Sequence, residues 1–389
     1  MNERILLLSC NTGQGHNSTA KALAEEFARR GAVADIRDAL AFASPSASRF
    51  VSGVHNMSAV YAPALFSIGN RSAIRATARA VGSQRPSGCY LCNALYAKRL
   101  YTHIRQNGYA AVVTPHVFPA EALTAIRRRF GLPIPAAFVA TDYSCAPYVG
   151  ETQLDLYCIA HPKLSADFVR WGVSRSRIAA TGIPVRACFR SPMEKGTARA
   201  LLGLPQEAAV ILIMTGSMGN GHTGALLEAL LPRLPQRGLV LVMGGSNERL
   251  KRSLRGQYQS DPRVRVLDYC GNVETYLRAA DVLLTKPGGL SCTEALVSGI
   301  PLVLTTPLPC WEAQNTAFFT SRGMACTADS PEALAAAACN LLRDPAARQR
   351  MLLAQKRNAR PRAAAAVCDL VLGQIWNASR GTSELSREA

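Results

Sequence analysis

The sequence predicts an α/β protein made of two Rossmann-like domains in tandem, and three observations predict it. Short apolar runs alternate with stretches of helical periodicity, the pattern of a parallel sheet joined by crossover helices. The opening unit of strand, glycine loop and helix at Ile5–Phe27 begins afresh at Ala209. The chain of 389 residues also exceeds what one hydrophobic core usually fills.

Taken in order, Ile5-Leu6-Leu7-Leu8-Ser9 reads as a buried strand running into Asn11–Ser18. Ala20, Leu23, Ala24 and Phe27 then recur at helical spacing, with Asn17 or Ser18 as the expected N-cap and Gly31 as the stop. Strands are expected at Val33–Ile36, Ala110–Thr114, Ala136–Thr141 and Leu154–Ile159, and helices at Pro119–Arg129 and Pro162–Trp171. The boundary falls near Arg190–Glu194, where Ser191-Pro192 interrupts the pattern. Beyond it come a strand at Ala209–Met214, a glycine loop and a helix from Thr223 through Leu231. Further strands are expected at Leu239–Met243, Val264–Leu267, Val282–Thr285 and Leu302–Leu304, with helices at Val273–Ala279, Gly289–Ser298 and Glu312–Ser321. Residues 332–376 read as wholly helical, punctuated by Pro345 and Pro361, closing the second domain and returning to the first. The expected domains are therefore 1–190, 191–360 and a returning segment 361–389.

Composition excludes several classes. With 48% hydrophobic and 18% charged residues the chain is neither disordered nor collagen-like. No apolar run approaches the roughly 18 residues that span a bilayer, and the start lacks the basic region of a signal peptide, so a cytoplasmic location is expected. Twelve scattered cysteines suit free thiols in a reducing compartment. The net charge of +18 points to nucleic acid, anionic lipid or a phosphorylated ligand. Residues 1–190 hold 22 basic against 10 acidic side chains, and no acidic residue stands between Asp38 and Glu121. In that gap Arg71, Arg75 and Arg79 are spaced by four, one face of a helix, close to the apolar-aromatic Tyr61–Phe66. Such a surface suits anionic lipid headgroups, while a solvated basic face is the alternative.

Three loops carry chemistry. Gly13-Gln14-Gly15-His16 lies where the first strand meets the first helix, where amides and the helix dipole receive an anion or a polar substrate. A ligand-free turn would use the same glycines. His16 adds an imidazole able to take a proton from an attacking hydroxyl, with a capping role as the alternative. Thr215–Gly221 repeats the device with a hydroxyl among glycines and suits a diphosphate; it is neither a Walker A loop nor the spaced dinucleotide fingerprint. In Lys286–Glu294 a strand ends at a Gly-Gly turn that opens a helix, and Glu294 lies about one turn in. That carboxylate can accept two ribose hydroxyls while the helix start faces phosphate; favouring its helix's positive end is the bland reading. Cys89-x-x-Cys92 stands without a second pair, and His161 and His222 have no partner at metal spacing.

Lys286–Val303 resembles the donor signature of GT-B glycosyltransferases that use UDP-sugars. Ser9–Ser18 narrows the resemblance to bacterial processive diacylglycerol glucosyltransferases and plant monogalactosyldiacylglycerol synthases. Further matching segments are His116–Ala120, Ala140–Tyr143, Thr181–Val185, Gly216–Gly219 and Glu312-x-x-Asn315. The resemblance implies two Rossmann-like domains facing a cleft, with the C-terminal helical segment returning to the N-terminal domain. It makes His16 the base, with Asp142 beside it among the catalytic residues, and puts Gly13, Gly15, Asn17, Phe118 and Tyr143 on the acceptor side. Ser217 with Gly216 and Gly219 would hold the donor diphosphate, and Met218, Gly288, Gly289, Leu290 and Ser291 would join them in binding the donor. The main chain at Tyr269-Cys270 would meet uracil, Glu294 the ribose, and Glu312, Gln314 and Asn315 the sugar hydroxyls. Lys286 would add charge at the diphosphate or serve structurally at the strand end. Tyr61, Phe66, Arg71, Arg75 and Arg79 would form the membrane surface. Two departures stand out: Ser144–Pro147 lacks a histidine found in many relatives, and Pro309-Cys310-Trp311-Glu312 replaces their Pro-Gly-Gln-Glu.

The expectation is an inverting, metal-independent transfer of glucose or galactose from a UDP-sugar to diacylglycerol or a glycosyldiacylglycerol, on the inner face of the cell membrane and without nucleic acid or cofactor. The alternatives are another lipid acceptor such as an undecaprenyl-linked intermediate, a UDP-sugar epimerase, and a non-catalytic basic binder.

Overall fold

The computed structural model describes residues 3–11, 14–44, 63–214, 216, 223–307 and 311–385. They divide into two compact units, one of residues 1–187 with 360–389 and one of residues 188–359.

The first unit holds β1 (Arg4–Ser9), β2 (Val33–Asp38), β3 (Ala111–Thr114), β4 (Ala136–Val139), β5 (Leu156–Cys158) and β6 (Ile178–Ala179). They form one parallel sheet in the order β2-β1-β3-β4-β5-β6. Ile5 to Leu8 are all fully buried, because crossover helices cover both faces of a parallel sheet. The helices are α1 (Gln14–Arg29), α2 (Pro63–Gly82), α3 (Gly88–Ala94), α4 (Ala97–Asn107), α5 (Val117–Phe130) and α6 (Ser165–Arg170). After α1, Gly31 takes φ +75°, a left-handed turn that a side chain would strain, and the chain enters β2.

The second unit repeats the plan with β7 (Ala209–Met214), β8 (Gly238–Met243), β9 (Val264–Leu267), β10 (Val282–Thr285), β11 (Leu302–Leu304) and β12 (Cys326–Thr327). The order is β12-β11-β10-β7-β8-β9, again parallel. Its helices are α7 (Lys195–Leu201), α8 (Thr223–Leu230), α9 (Glu248–Tyr258), α10 (Val273–Ala279), α11 (Gly289–Ser298), α12 (Trp311–Thr320), α13 (Pro331–Arg343) and α14 (Pro345–Asn358). Helix α15 (Ala363–Leu385) belongs to the first unit. Its Val367, Cys368, Val371 and Ile375 pack with Leu23 and Phe27 of α1 into the core over β1, β3 and β4. Burying each of its aliphatic side chains contributes about 1.5–3 kcal/mol.

Several expectations change. Helix α1 begins at Gln14, so Asn17 and Ser18 lie inside its first turns and neither is the N-cap. The 332–376 stretch is three helices: Asp344 accepts from the amide of Ala347 and starts α14, and the chain breaks again before α15. The units change over between Ala187 and Cys188. Short edge strands β6 and β12 and helices α3, α4 and α9 were not expected. On α2, Arg71, Arg75 and Arg79 are exposed while Thr77 is buried, so the arginines share its outer face. Among the described residues no helix is long and apolar enough to cross a membrane, and the eleven cysteines are free thiols.

Candidate active site

In each sheet the chain leaves its first strand toward one side and later returns to pair on the other, which makes a topological switch point. These points lie between β1 and β3 and between β7 and β10. Loops leaving the carboxyl ends of two such strands diverge, and ligands settle where they part. Both pairs are tied in the same way: Thr114 Oγ1 donates to the carbonyl of Leu8 at 2.9 Å, and Thr285 Oγ1 to that of Met214 at 3.0 Å.

At the first point, His16 stands in the first turn of α1 with Nδ1 2.9 Å from the carbonyl oxygen of Pro115 and 3.2 Å from Thr141 Oγ1. A carbonyl only accepts, so Nδ1 carries the proton of the neutral ring and the lone pair lies on Nε2. Burial lowers the His16 pKa below the usual imidazole value, opposed by the carboxylate of Asp142 and by the Pro115 bond. At neutral pH the ring is an uncharged base with its lone pair on a defined atom. The His116 ring meets it edge-on with centroids 4.5 Å apart. His116 caps α5, its Nδ1 accepting from the amide of Phe118 at 3.1 Å. The loop after β1 is braced by a chain of amides: Ser9 Oγ donates to Asn17 Oδ1 (2.6 Å), Asn17 Nδ2 to Asn11 Oδ1 (3.0 Å), and Asn11 Nδ2 to Asp38 Oδ2 (2.9 Å).

At the second point, Gly216 takes φ +79° directly over the Lys286 stem; a Cβ there would lie 2.5 Å from Lys286 Cε. Lys286 Nζ is 2.5 Å from Glu312 Oε1. The amide of Gly288 donates to the carbonyl of Lys286 at 2.8 Å, making the tight turn that starts α11. The first amides of α11 have no acceptor within the helix and, with its dipole, form an anion seat. Thr293 Oγ1 donates to the carbonyl of Gly289 (2.7 Å), and Asn315 Nδ2 to that of Pro287 (2.9 Å). Glu294 is half-buried on α11, Tyr269 is 74% exposed after β9, and Cys270 is half-buried beside it.

The monogalactosyldiacylglycerol (MGDG) synthase family matches residues 16–185, and the group 1 glycosyl transferases match residues 209–344. The processive diacylglycerol beta-glucosyltransferase of Bacillus pumilus is 29% identical over 348 residues, 88% of either chain. That of Bacillus subtilis is 28% identical over 363 residues, 90% of either chain. Over most of its length the chain is similar to the MGDG synthases and the processive diacylglycerol glucosyltransferases. It is a glycosyltransferase of the GT-B fold. Solved structures agree on the fold: MurG of Acinetobacter baumannii has a TM-score of 0.62 at 17% identity, covering 95% of this chain and 99% of its own. The UDP-GlcNAc 2-epimerase of Neisseria meningitidis bound to UDP-GlcNAc has a TM-score of 0.63 at 11% identity, covering 95% of this chain and 100% of its own.

Within this glycosyltransferase, the first switch point gathers Gly15, His16 and Asn17 in the first turns of α1, Phe118 at the start of α5, and Asp142 and the buried Tyr143 on the loop after β4. Asn17 spends both ends of its amide on the loop brace, which makes it a support of the site. The second switch point gathers Gly216, Lys286, Gly288, Gly289, Leu290 and Ser291, with Glu312 beside Lys286. Gln314 is exposed on α12, whereas Asn315 is fully buried and holds the Pro287 carbonyl from beneath. Gly13, Ser217, Met218, Gly219 and Tyr61 lie outside the described residues, as does the side chain of Phe66 on α2. Sequence reasoning missed His116 and Thr141 as neighbours of His16. The signal was present, since Pro115-His116 follows the strand that pairs with β1, but only sheet order brings the two together. Cys89 is half-buried, with burial pushing its thiol up, and Cys92 is exposed.

Proposed function

We propose that this glycosyltransferase moves glucose or galactose from a UDP-sugar to the free hydroxyl of diacylglycerol, with inversion at the anomeric carbon. The observation that carries the reading is the neutral His16 ring, its lone pair directed to Nε2 by the Pro115 carbonyl, in a chain whose relatives are named for transfer to diacylglycerol. Nε2 takes the hydroxyl proton as the oxygen attacks C1 opposite the departing UDP, and the single displacement inverts the centre. Asp142 stabilises the imidazolium that forms, since its carboxylate already acts on the ring. Charge developing on UDP is received by the first amides of α11, donors set in place before reaction. The exposed Arg71, Arg75 and Arg79 on α2 would hold the unit against an anionic membrane at the cytoplasmic leaflet.

The test is mass spectrometry of lipids after incubating the protein with anionic vesicles containing diacylglycerol and, in parallel, UDP-glucose or UDP-galactose. A hexosyldiacylglycerol from one donor is expected and chooses the sugar. UDP binding with no glycolipid would refute the diacylglycerol acceptor. An isomerised UDP-sugar formed without acceptor would replace transfer by epimerisation.

A further inference from the structure

We infer that Lys286 is a positioning residue for sugar recognition: it holds the Glu312 carboxylate where the donor's sugar hydroxyls arrive, and leaves the diphosphate to backbone amides. The inference rests on the reading above that a UDP-sugar occupies this unit.

Four features of one small region lead there. The ammonium is already committed, with Nζ 2.5 Å from Glu312 Oε1. Its stem runs beside Gly216, where any side chain would crowd it: a Cβ on Gly216 would stand 2.5 Å from Cε and 3.0 Å from Cδ. Nζ also lies 3.7 Å from where a Cβ of Gly288 would be, an ordinary contact distance, so the ammonium sits beside the turn that starts α11. Finally, α12 is strapped to the Lys286–Gly289 turn at two points one turn apart, Glu312 to Lys286 and Asn315 to the Pro287 carbonyl.

The physical consequence is a division of labour. Glu312 is buried to 8% exposure in the first turn of α12, and a carboxylate there without its cation would carry a large desolvation penalty and turn toward water. Paired, it presents fixed lone pairs, which is what discrimination between sugar epimers requires. Phosphate does not need this lysine, since the first turn of α11 supplies amides and a positive helix end. A lysine bound to the diphosphate would instead help UDP and UDP-sugar alike.

That difference is measurable by calorimetric titration of UDP, UDP-glucose and UDP-galactose into the wild type, Lys286→Met, Glu312→Gln and the double variant. Lys286→Met keeps the stem under Gly216 and should bind UDP within about twofold of wild type. Its ratio of UDP-sugar to UDP dissociation constants should rise about tenfold, the loss of one hydrogen bond to a charged group. Glu312→Gln should show the same ratio, and the double variant should be no worse than either single one. Equal weakening of UDP and UDP-sugar by Lys286→Met would overturn the inference, as would additive losses in the double variant. A wild type that binds no UDP would remove the donor reading, and this inference with it. Should Lys286→Met fail to fold, Lys286→Gln carries the same comparison.

Discussion

Glu121 offers a perturbation whose size can be worked from its surroundings. It lies on α5, fully buried, with Oε2 accepting from Asn93 Nδ2 at 2.6 Å and the Cys89 thiol also hydrogen-bonded to its carboxyl. Burial raises its pKa from 4.5 to about 8, the Asn93 and Cys89 bonds pull it down, and the nearby Glu151 carboxylate adds to the rise. The folded protein therefore keeps a proton on Glu121 up to about pH 8, while the unfolded chain gives it up near the ordinary carboxyl value. Between those two values the folded state binds more protons, so stability falls as pH rises, by up to about 1.4 kcal/mol per unit and roughly 3–5 kcal/mol across the window. Glu121→Gln puts a neutral isostere of the protonated acid in the same place. At about pH 5 it should be within about 1 kcal/mol of wild type, and by about pH 8.5 more stable by about 2–4 kcal/mol. Thermal midpoints of both proteins across that pH range should separate on the alkaline side by roughly 5–10 °C, the conversion for a unit of this size. Parallel curves, with a difference independent of pH, would refute the reasoning and place the ionised carboxylate in a solvated or compensated environment.

His16→Ala should lower kcat by about 10²–10⁴-fold and leave UDP affinity unchanged, read by lipid-product assay and titration. Because burial lowers the His16 pKa, the neutral base persists below pH 6.5 and the acid limb of kcat/KM should fall at a lower pH than free imidazole would give. Gly216→Ala combines an unfavourable φ of +79° with a Cβ 2.5 Å from Lys286 Cε; donor titration should show UDP-sugar affinity reduced at least about tenfold, a strain of about 1–3 kcal/mol. Reversing Arg71, Arg75 and Arg79 to Glu should weaken binding to anionic vesicles by at least about 100-fold, at about 1 kcal/mol per lost arginine, without changing binding to neutral ones.

Much of this protein is legible in its residues. Ile5–Leu8 and Val282–Thr285 read as buried strands because both faces of a parallel strand are covered, and the glycines after them mark loops at the carboxyl edge. The edge strands Ile178–Ala179 and Cys326–Thr327 escaped because two residues carry no periodicity. Helix α9 escaped because its only fully buried apolar residue is Leu254, amid three arginines and a lysine. At the site, residue types were readable and partnerships were not. His16 and the Pro115 carbonyl are 99 positions apart, and Lys286 and Glu312 are 26 apart. Only the pairing of β1 with β3, and the docking of α12 under the Lys286 turn, make them neighbours. The expected cap at Asn17 or Ser18 failed because Asn17 found other partners in Ser9 and Asn11.

The first unit closes only with α15, which reaches it after the whole second unit has been made. During synthesis the sheet around β1 must wait, with the apolar faces of Leu23 and Phe27 uncovered, until Val367, Val371 and Ile375 leave the ribosome. The intervening unit is contiguous and can complete itself first. A fragment ending at residue 187 would expose the same gap permanently, so dissecting this enzyme requires residues 360–385 to be rejoined to the first half, in cis or as a separate peptide.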